Sequence, residues 1–170
     1  MKIIERINKL GQEVYNLDVK KREAIANLCE KYGVLVKQYI EYPGTKNEKV
    51  YYDYYKDGVF LFRLLKTRVK LVPVRDEINL LKEKKEVKQY LCLLNSKEEG
   101  NDKKIAKLEE SMLVKRYKRL VKLEKTGIKF LQEKRLIEKK FRNTLVKLAG
   151  VRCNDIYEKQ NNTKENGKEK

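Results

Sequence analysis

The chain has no histidine and no tryptophan, only two prolines, and three cysteines in 170 residues. Without histidine there is no imidazole general base and no imidazole metal ligand. Ser-His-Asp and Cys-His catalysis and Cys/His zinc sites are thereby excluded. Cys29, Cys92 and Cys153 stand far apart, with no CxxC pair among them. Such a scattered, odd set fits reduced thiols in a cytoplasmic protein better than a disulfide framework. The opening MKIIERINKL lacks the apolar run of a secretory signal, and no stretch approaches eighteen consecutive apolar residues. Neither a leader nor a transmembrane helix is expected.

Charged residues are what the chain has in excess, at 39% of the total and a net +17. The excess is local. Residues 103–152 hold seventeen Lys and Arg against five Glu and no Asp, a net of +12. An AT-rich coding composition also raises Lys, Ile, Asn and Tyr, so the placement of the cations carries more weight than their number. Hydrophobic residues, at 41%, allow a modest core and favour helices with thin apolar stripes.

Periodicity divides the chain. Ile3, Ile7, Leu10, Val14 and Leu17 recur at helical spacing. Asp18 then reads as an N-cap for a second helix over 19–32, with Ala24, Ile25, Leu28 and Tyr32 on one face and Gly33 as its stop. From Val34 the period becomes two. Strands are expected over 34–41, 50–55 and 59–65, with a fourth over 67–72 ended by Pro73. Asp57-Gly58 marks a tight hairpin. Helical patterns follow over 75–95, 103–126 and 128–149, with Gly127 as a turn or a kink.

The expected fold is α+β: N-terminal helices with a three- to four-strand antiparallel meander, then two or three long basic helices forming a helical hairpin or antiparallel coiled coil. A disordered C-terminal tail completes it. The corresponding domains are a small α+β unit over 1–72, with the helix 19–32 covering its sheet, a basic helical region over 73–152 and the tail over 153–170. The narrow helical stripes also suit self-association as a homodimer.

The basic helical segment is the leading candidate site. Lys115, Arg116, Lys118, Arg119, Lys122 and Lys125 crowd one run, and Lys129, Lys134, Arg135, Lys139, Lys140, Arg142 and Lys147 continue it. A rod of cations binds a polyanion by releasing its counterions and needs no base contacts. Five acids cannot neutralise such a run through intrahelical pairing. The bland alternative is a solvated face that only confers solubility.

A second feature is the helix followed by a hairpin. ANLCEKYGVLVKQY (26–39) and KVYYDYY (49–55) resemble the recognition helix and wing of a winged-helix domain. The resemblance covers about forty residues. It implies a helix in the major groove, with Lys20, Lys21 and Arg22 at its start, and a wing carrying Lys46 and Lys49 near its tip. The sequence departs from that family in having one helix before the candidate recognition helix where two are expected, and in a strand continuing through 59–65.

A third feature is aromatic. Tyr39, Tyr51, Tyr55, Phe60 and Phe62 on one sheet face would stack unpaired bases. The structural alternative, rings that favour strands and pack under a helix, has the greater weight.

Catalytic signals are weak. Glu-x-Lys triplets at Glu83-Lys85, Glu86-Lys88 and Glu138-Lys140 match a carboxylate–lysine nuclease site, but such triplets arise by chance in a Lys- and Glu-rich chain. Asp53, Asp57, Asp76 and Glu77 have no phosphate-cradling glycine loop beside them. No enzyme activity, cofactor or metal is expected.

The expectation is therefore a basic nucleic-acid-binding accessory protein, DNA or RNA, of a size suited to a phage or plasmid maintenance or replication factor. The alternative is an inhibitor or scaffold whose helices grip an acidic protein partner. A membrane is not expected as a partner. The stripe Phe130, Ile137 and Phe141 within 128–148 suits packing on a neighbouring helix better than an anionic surface.

Overall fold

The computed structural model describes the backbone of residues 2–96 and 98–165, and side chains as far as residue 150. The elements are α1 (Ile3–Tyr32), β1 (Leu35–Glu41), β2 (Lys49–Lys56), β3 (Val59–Leu65), β4 (Arg68–Leu71), α2 (Pro73–Lys82), α3 (Lys85–Asn95), α4 (Asp102–Glu109) and α5 (Met112–Glu165). The fold is α+β, with an N-terminal helix, a four-stranded antiparallel sheet in the order β1-β2-β3-β4, then helices. The expected tail lies partly outside the described residues, which end at 165.

Local chemistry explains most boundaries. Gly33 adopts φ +63, its N–H bonds to the Glu30 carbonyl, and Val34 N–H reaches back to Cys29. These paired bonds satisfy the last carbonyls of α1, and glycine takes the left-handed turn without a Cβ penalty. Lys56 Nζ donates to the Tyr32 carbonyl, adding a cation at the negative end of the helix. The β2–β3 turn is Asp57-Gly58, both at positive φ (50 and 76), as a two-residue hairpin requires. Pro73 ends the strand region and opens α2, where its missing N–H costs nothing.

Two compact units divide the chain. One holds the residues up to Leu28 together with those from Glu133 on; the other runs from Cys29 to Gln132. The sequence boundary at 72–73 falls inside the second. In the first unit, α1 shields Arg6, Leu10, Glu13, Leu17 and Leu28 at helical spacing, while Ile3, Ile7 and Val14 stay exposed. The distal part of α5 shields Lys134, Ile137, Glu138 and Phe141.

In the second unit, Tyr54 of β2 and Phe62 of β3 stack at 4.9 Å, and Phe130 of α5 packs on both at 5.6 and 6.3 Å. Tyr32 meets Phe130 edge-on at 6.0 Å. The sheet is therefore covered by α5 at Gly127 and Phe130, and by α2, which packs on β3; the helix expected to cover it contributes its last turn. A second cluster holds Val87 and Tyr90 of α3 with Val114 of α5.

Several boundaries differ from the sequence pattern. Asp18 caps nothing: α1 runs unbroken through it, and its carboxylate pairs with Arg22 at 2.8 Å. The helix expected over 75–95 is two, with Lys84 extended between them (ψ 137). Six residues separate Leu81 from Val87, which a continuous helix would point in different directions; the break lets both be buried. Likewise 103–126 is divided at Glu110-Ser111, where the Ser111 hydroxyl bonds to Glu86.

Gly127 makes no turn. It lies inside α5 on the face toward β3, where an added Cβ would stand 3.4 Å from Leu61 Cδ1 and 3.6 Å from Phe62 Cε1. Those are ordinary van der Waals distances, so the site has room for a methyl and no more. Gly127→Ala is expected to stabilise the protein by about 0.5–1 kcal/mol through helix propensity, and Gly127→Leu to destabilise it by about 1–3 kcal/mol through overpacking. Urea unfolding of the two variants checks both signs.

Candidate nucleic-acid interface

The inward positions of α5 include Tyr117, which packs on the α3 cluster, Leu120, and Gly127 and Phe130, which face the sheet. Lys115, Lys118, Lys122, Lys125 and Lys129 recur at spacings of three and four, two residues out of phase, so they occupy the opposite side of the helix. All five are exposed. At 1.5 Å per residue the row spans about 21 Å.

The predicted cations divide by what they touch. Arg116 pairs with Glu77 of α2, Arg119 donates to the Asp57 carbonyl at 3.0 Å, and Lys118 reaches Glu109 of α4 at 2.7 Å. Arg75 adds a link from α2 to Glu124 at 2.9 Å. These contacts fasten α5 to its neighbours. Among the described residues, Lys115, Lys122, Lys125 and Lys129 have no acid within ion-pair distance. In the other unit, Arg135, Lys139, Lys140, Arg142 and Lys147 are exposed on α5. Lys134 is not available: it is 5% exposed and pairs with Glu138 one turn on.

The cations assigned to the winged-helix resemblance do not converge on a helix-turn-helix. α1 is one thirty-residue helix with no helix before it among the described residues, and β1 and β2 belong to a four-stranded sheet rather than a lone wing. Lys20 is exposed midway along α1, beside Lys21 and Arg22, which pair with Asp18 at 3.8 and 2.8 Å. Lys46 and Lys49 sit at the β1–β2 connection, exposed. A groove-reading helix needs a second helix crossing the backbone behind it, and in chain order α1 is followed by a four-stranded sheet instead.

The base of α5 frames a notch of about 570 Å³ beside the Asp57-Gly58 turn. Lys115, Arg116 and Arg119 line it with Phe60, Pro73 and Glu77. It is suited to an anionic group with a flat apolar neighbour.

Sequence reasoning missed how the aromatic residues divide. Strict alternation places Phe60 and Phe62 on one face. A β-bulge opposite Tyr54/Tyr55 pairs Tyr54 with Phe62 and Tyr55 with Phe60, leaving Leu61 as the extra residue. Phe62 therefore packs under α5, while Phe60 joins Tyr39, Tyr51 and Tyr55 on the other face. Arg63 is centred there, bound in bidentate fashion to Asp53 at 2.6 and 2.8 Å. No run of sequence signals a bulge at Leu61.

Among the described residues no cluster of three or more His, Cys, Asp or Glu is placed to hold a metal ion, and no helix is long and apolar enough to cross a membrane. Comparison with family models, curated proteins and solved structures finds no match to this chain.

The Lys118–Glu109 pair has a titration consequence. The hydrogen bond from Lys118 holds the Glu109 carboxyl below its ordinary value of 4.5, and Tyr90, whose own pKa is raised by burial, also donates to it at 3.4 Å. A carboxyl depressed by folding adds stability only while ionised. Glu109→Gln should therefore lower Tm at pH above 4.5, and the difference from the unaltered protein should close as pH falls below that value. Thermal melts across pH 3 to 7 measure it.

Proposed function

We propose that this chain is a nucleic-acid-binding accessory protein, without enzyme activity of its own, that contacts phosphates through α5. One observation carries the reading: Lys115, Lys122, Lys125 and Lys129 are exposed, without acid partners among the described residues, on the side of α5 turned away from the sheet. Unpaired cations repel one another and cost stability, so a row of them is best accounted for by a polyanion that binds across it. Phosphate neutralisation with counterion release follows from such a row without any base-reading element. Scattered cysteines with no disulfide pattern suit a cytoplasmic protein of a phage or plasmid maintenance or replication system.

The test separates the exposed lysines from those that hold α5 in place. Lys122→Glu, Lys125→Glu and Lys129→Glu together should leave the thermal melt no lower, since they relieve repulsion along the row, and lower affinity for labelled DNA by at least a hundredfold. The slope of log affinity against log salt should become shallower by about 0.9 for each phosphate no longer neutralised. Anisotropy titrations over a salt series measure both. Weak binding that does not respond to salt or to these substitutions would sink the reading. The helices would then be left to an acidic protein partner, seen as a complex that survives nuclease.

A further inference from the structure

Phosphate contacts by α5 leave the far face of the sheet unused. That face is aromatic and cationic together. Cross-strand pairing sets Tyr39 opposite Tyr51 and Tyr55 opposite Phe60. The Arg63 guanidinium lies among them, 4.5 Å from the Tyr39 ring centroid and 5.4 Å from that of Tyr51. Asp53 holds it in one plane through two parallel bonds. A guanidinium covers one face of a ring, and Tyr39 remains 46% exposed.

The charges on this face do not cancel. The Asp53 carboxylate is fully engaged by Arg63, and Glu41 accepts the Tyr51 hydroxyl at 2.9 Å. Lys37, Lys49 and Arg68 share the face by register, all exposed. A purely apolar partner would have to bury these cations, which is costly. A base-free polyanion would leave the rings unused. A ligand with flat apolar rings joined by anions satisfies both. Phe60 also lines the notch that holds Lys115 and Arg119, so the rings and the α5 cations meet at one residue.

The geometry points to single-stranded nucleic acid as the ligand of this face, its bases stacked on Tyr39 and Phe60 and its phosphates on the surrounding lysines. This rests on the reading of the chain as a nucleic-acid-binding protein and narrows the ligand to unpaired strands. A duplex keeps its base faces inside the stack and has none to offer the rings.

Three probes test it: an oligothymidylate of about 15 nucleotides, a duplex of the same length, and inorganic polyphosphate, which has charge and no base. With no tryptophan in the chain, emission comes from tyrosine alone. Oligothymidylate should quench it and polyphosphate should not. Tyr39→Ala and Phe60→Leu should each weaken oligothymidylate binding about tenfold and leave polyphosphate affinity unchanged, while Tyr39→Phe retains binding. Unquenched emission together with unaltered oligothymidylate affinity in both variants overturns the inference. Duplex and polyphosphate binding would then still support α5 alone. Failure of the unaltered protein to bind any of the three would overturn the inference and the underlying reading together.

Discussion

The packing of α5 on β3 is the contact on which the rest depends. Phe130 is fully buried among Tyr32, Tyr54 and Phe62, and one turn earlier Gly127 brings the helix backbone against Leu61 and Phe62. Truncating a ring in such a position costs about 3–5 kcal/mol, a large part of the 5–15 kcal/mol that holds a typical domain folded. Fixing the rotation of α5 here also fixes which lysines point away. The bulge that delivers Leu61 to the helix turns Phe60 to the opposite face. Both candidate binding surfaces are thus consequences of one packed contact.

Charge in this molecule has two uses, and burial and partners tell them apart. Arg75, Arg116, Arg119 and Lys118 hold α5 against α2, the β2–β3 turn and α4. Exposed ion pairs of this kind contribute about 0–1 kcal/mol each, so they orient the helix more than they stabilise it. Among the described residues Lys122, Lys125 and Lys129 make no ion pair, and replacing them tests binding without disturbing these links. Substituting Arg116 or Arg119 would confound the two uses.

Much of the fold was legible where a residue has one conformational role. Gly33 ends α1, Asp57-Gly58 makes the hairpin, Pro73 opens α2, and the period-two pattern marks four strands. The rest was decided by tertiary contacts. Asp18 has the chemistry of an N-cap, but a good cap does not interrupt a helix that no adjacent glycine or proline breaks. Gly127 looks like a breaker, yet inside a packed helix its cost of about 1 kcal/mol is outweighed by the burial around it. The winged-helix resemblance failed because a helix followed by a hairpin is local, whereas a helix-turn-helix requires a second helix elsewhere. Of the candidate cations, Lys115 to Lys125 fall in a row by spacing, and Lys129 joins them because α5 runs on through Gly127. The withdrawal of Lys134 does not, because Glu138 and its surroundings take a lysine that the charge pattern counts as exposed.

The Asp53–Arg63 pair bears on why the open face is built as it is. An ion pair with one partner 5% exposed is, on average, no more stabilising than apolar residues of the same volume. Breaking it is another matter, since a lone buried carboxylate costs about 3–5 kcal/mol. The pair therefore fixes the position of the guanidinium through two parallel bonds. What it provides is a planar cation fixed between two tyrosines in the middle of a sheet. Valine or leucine at these positions would satisfy the core, and would leave a greasy surface prone to association. With the guanidinium in place, the surface has flat rings, fixed positive charge and no free acid at its centre. On the reading proposed above, those properties suit an unpaired base linked to phosphate better than a hydrophobic peptide or a bare anion.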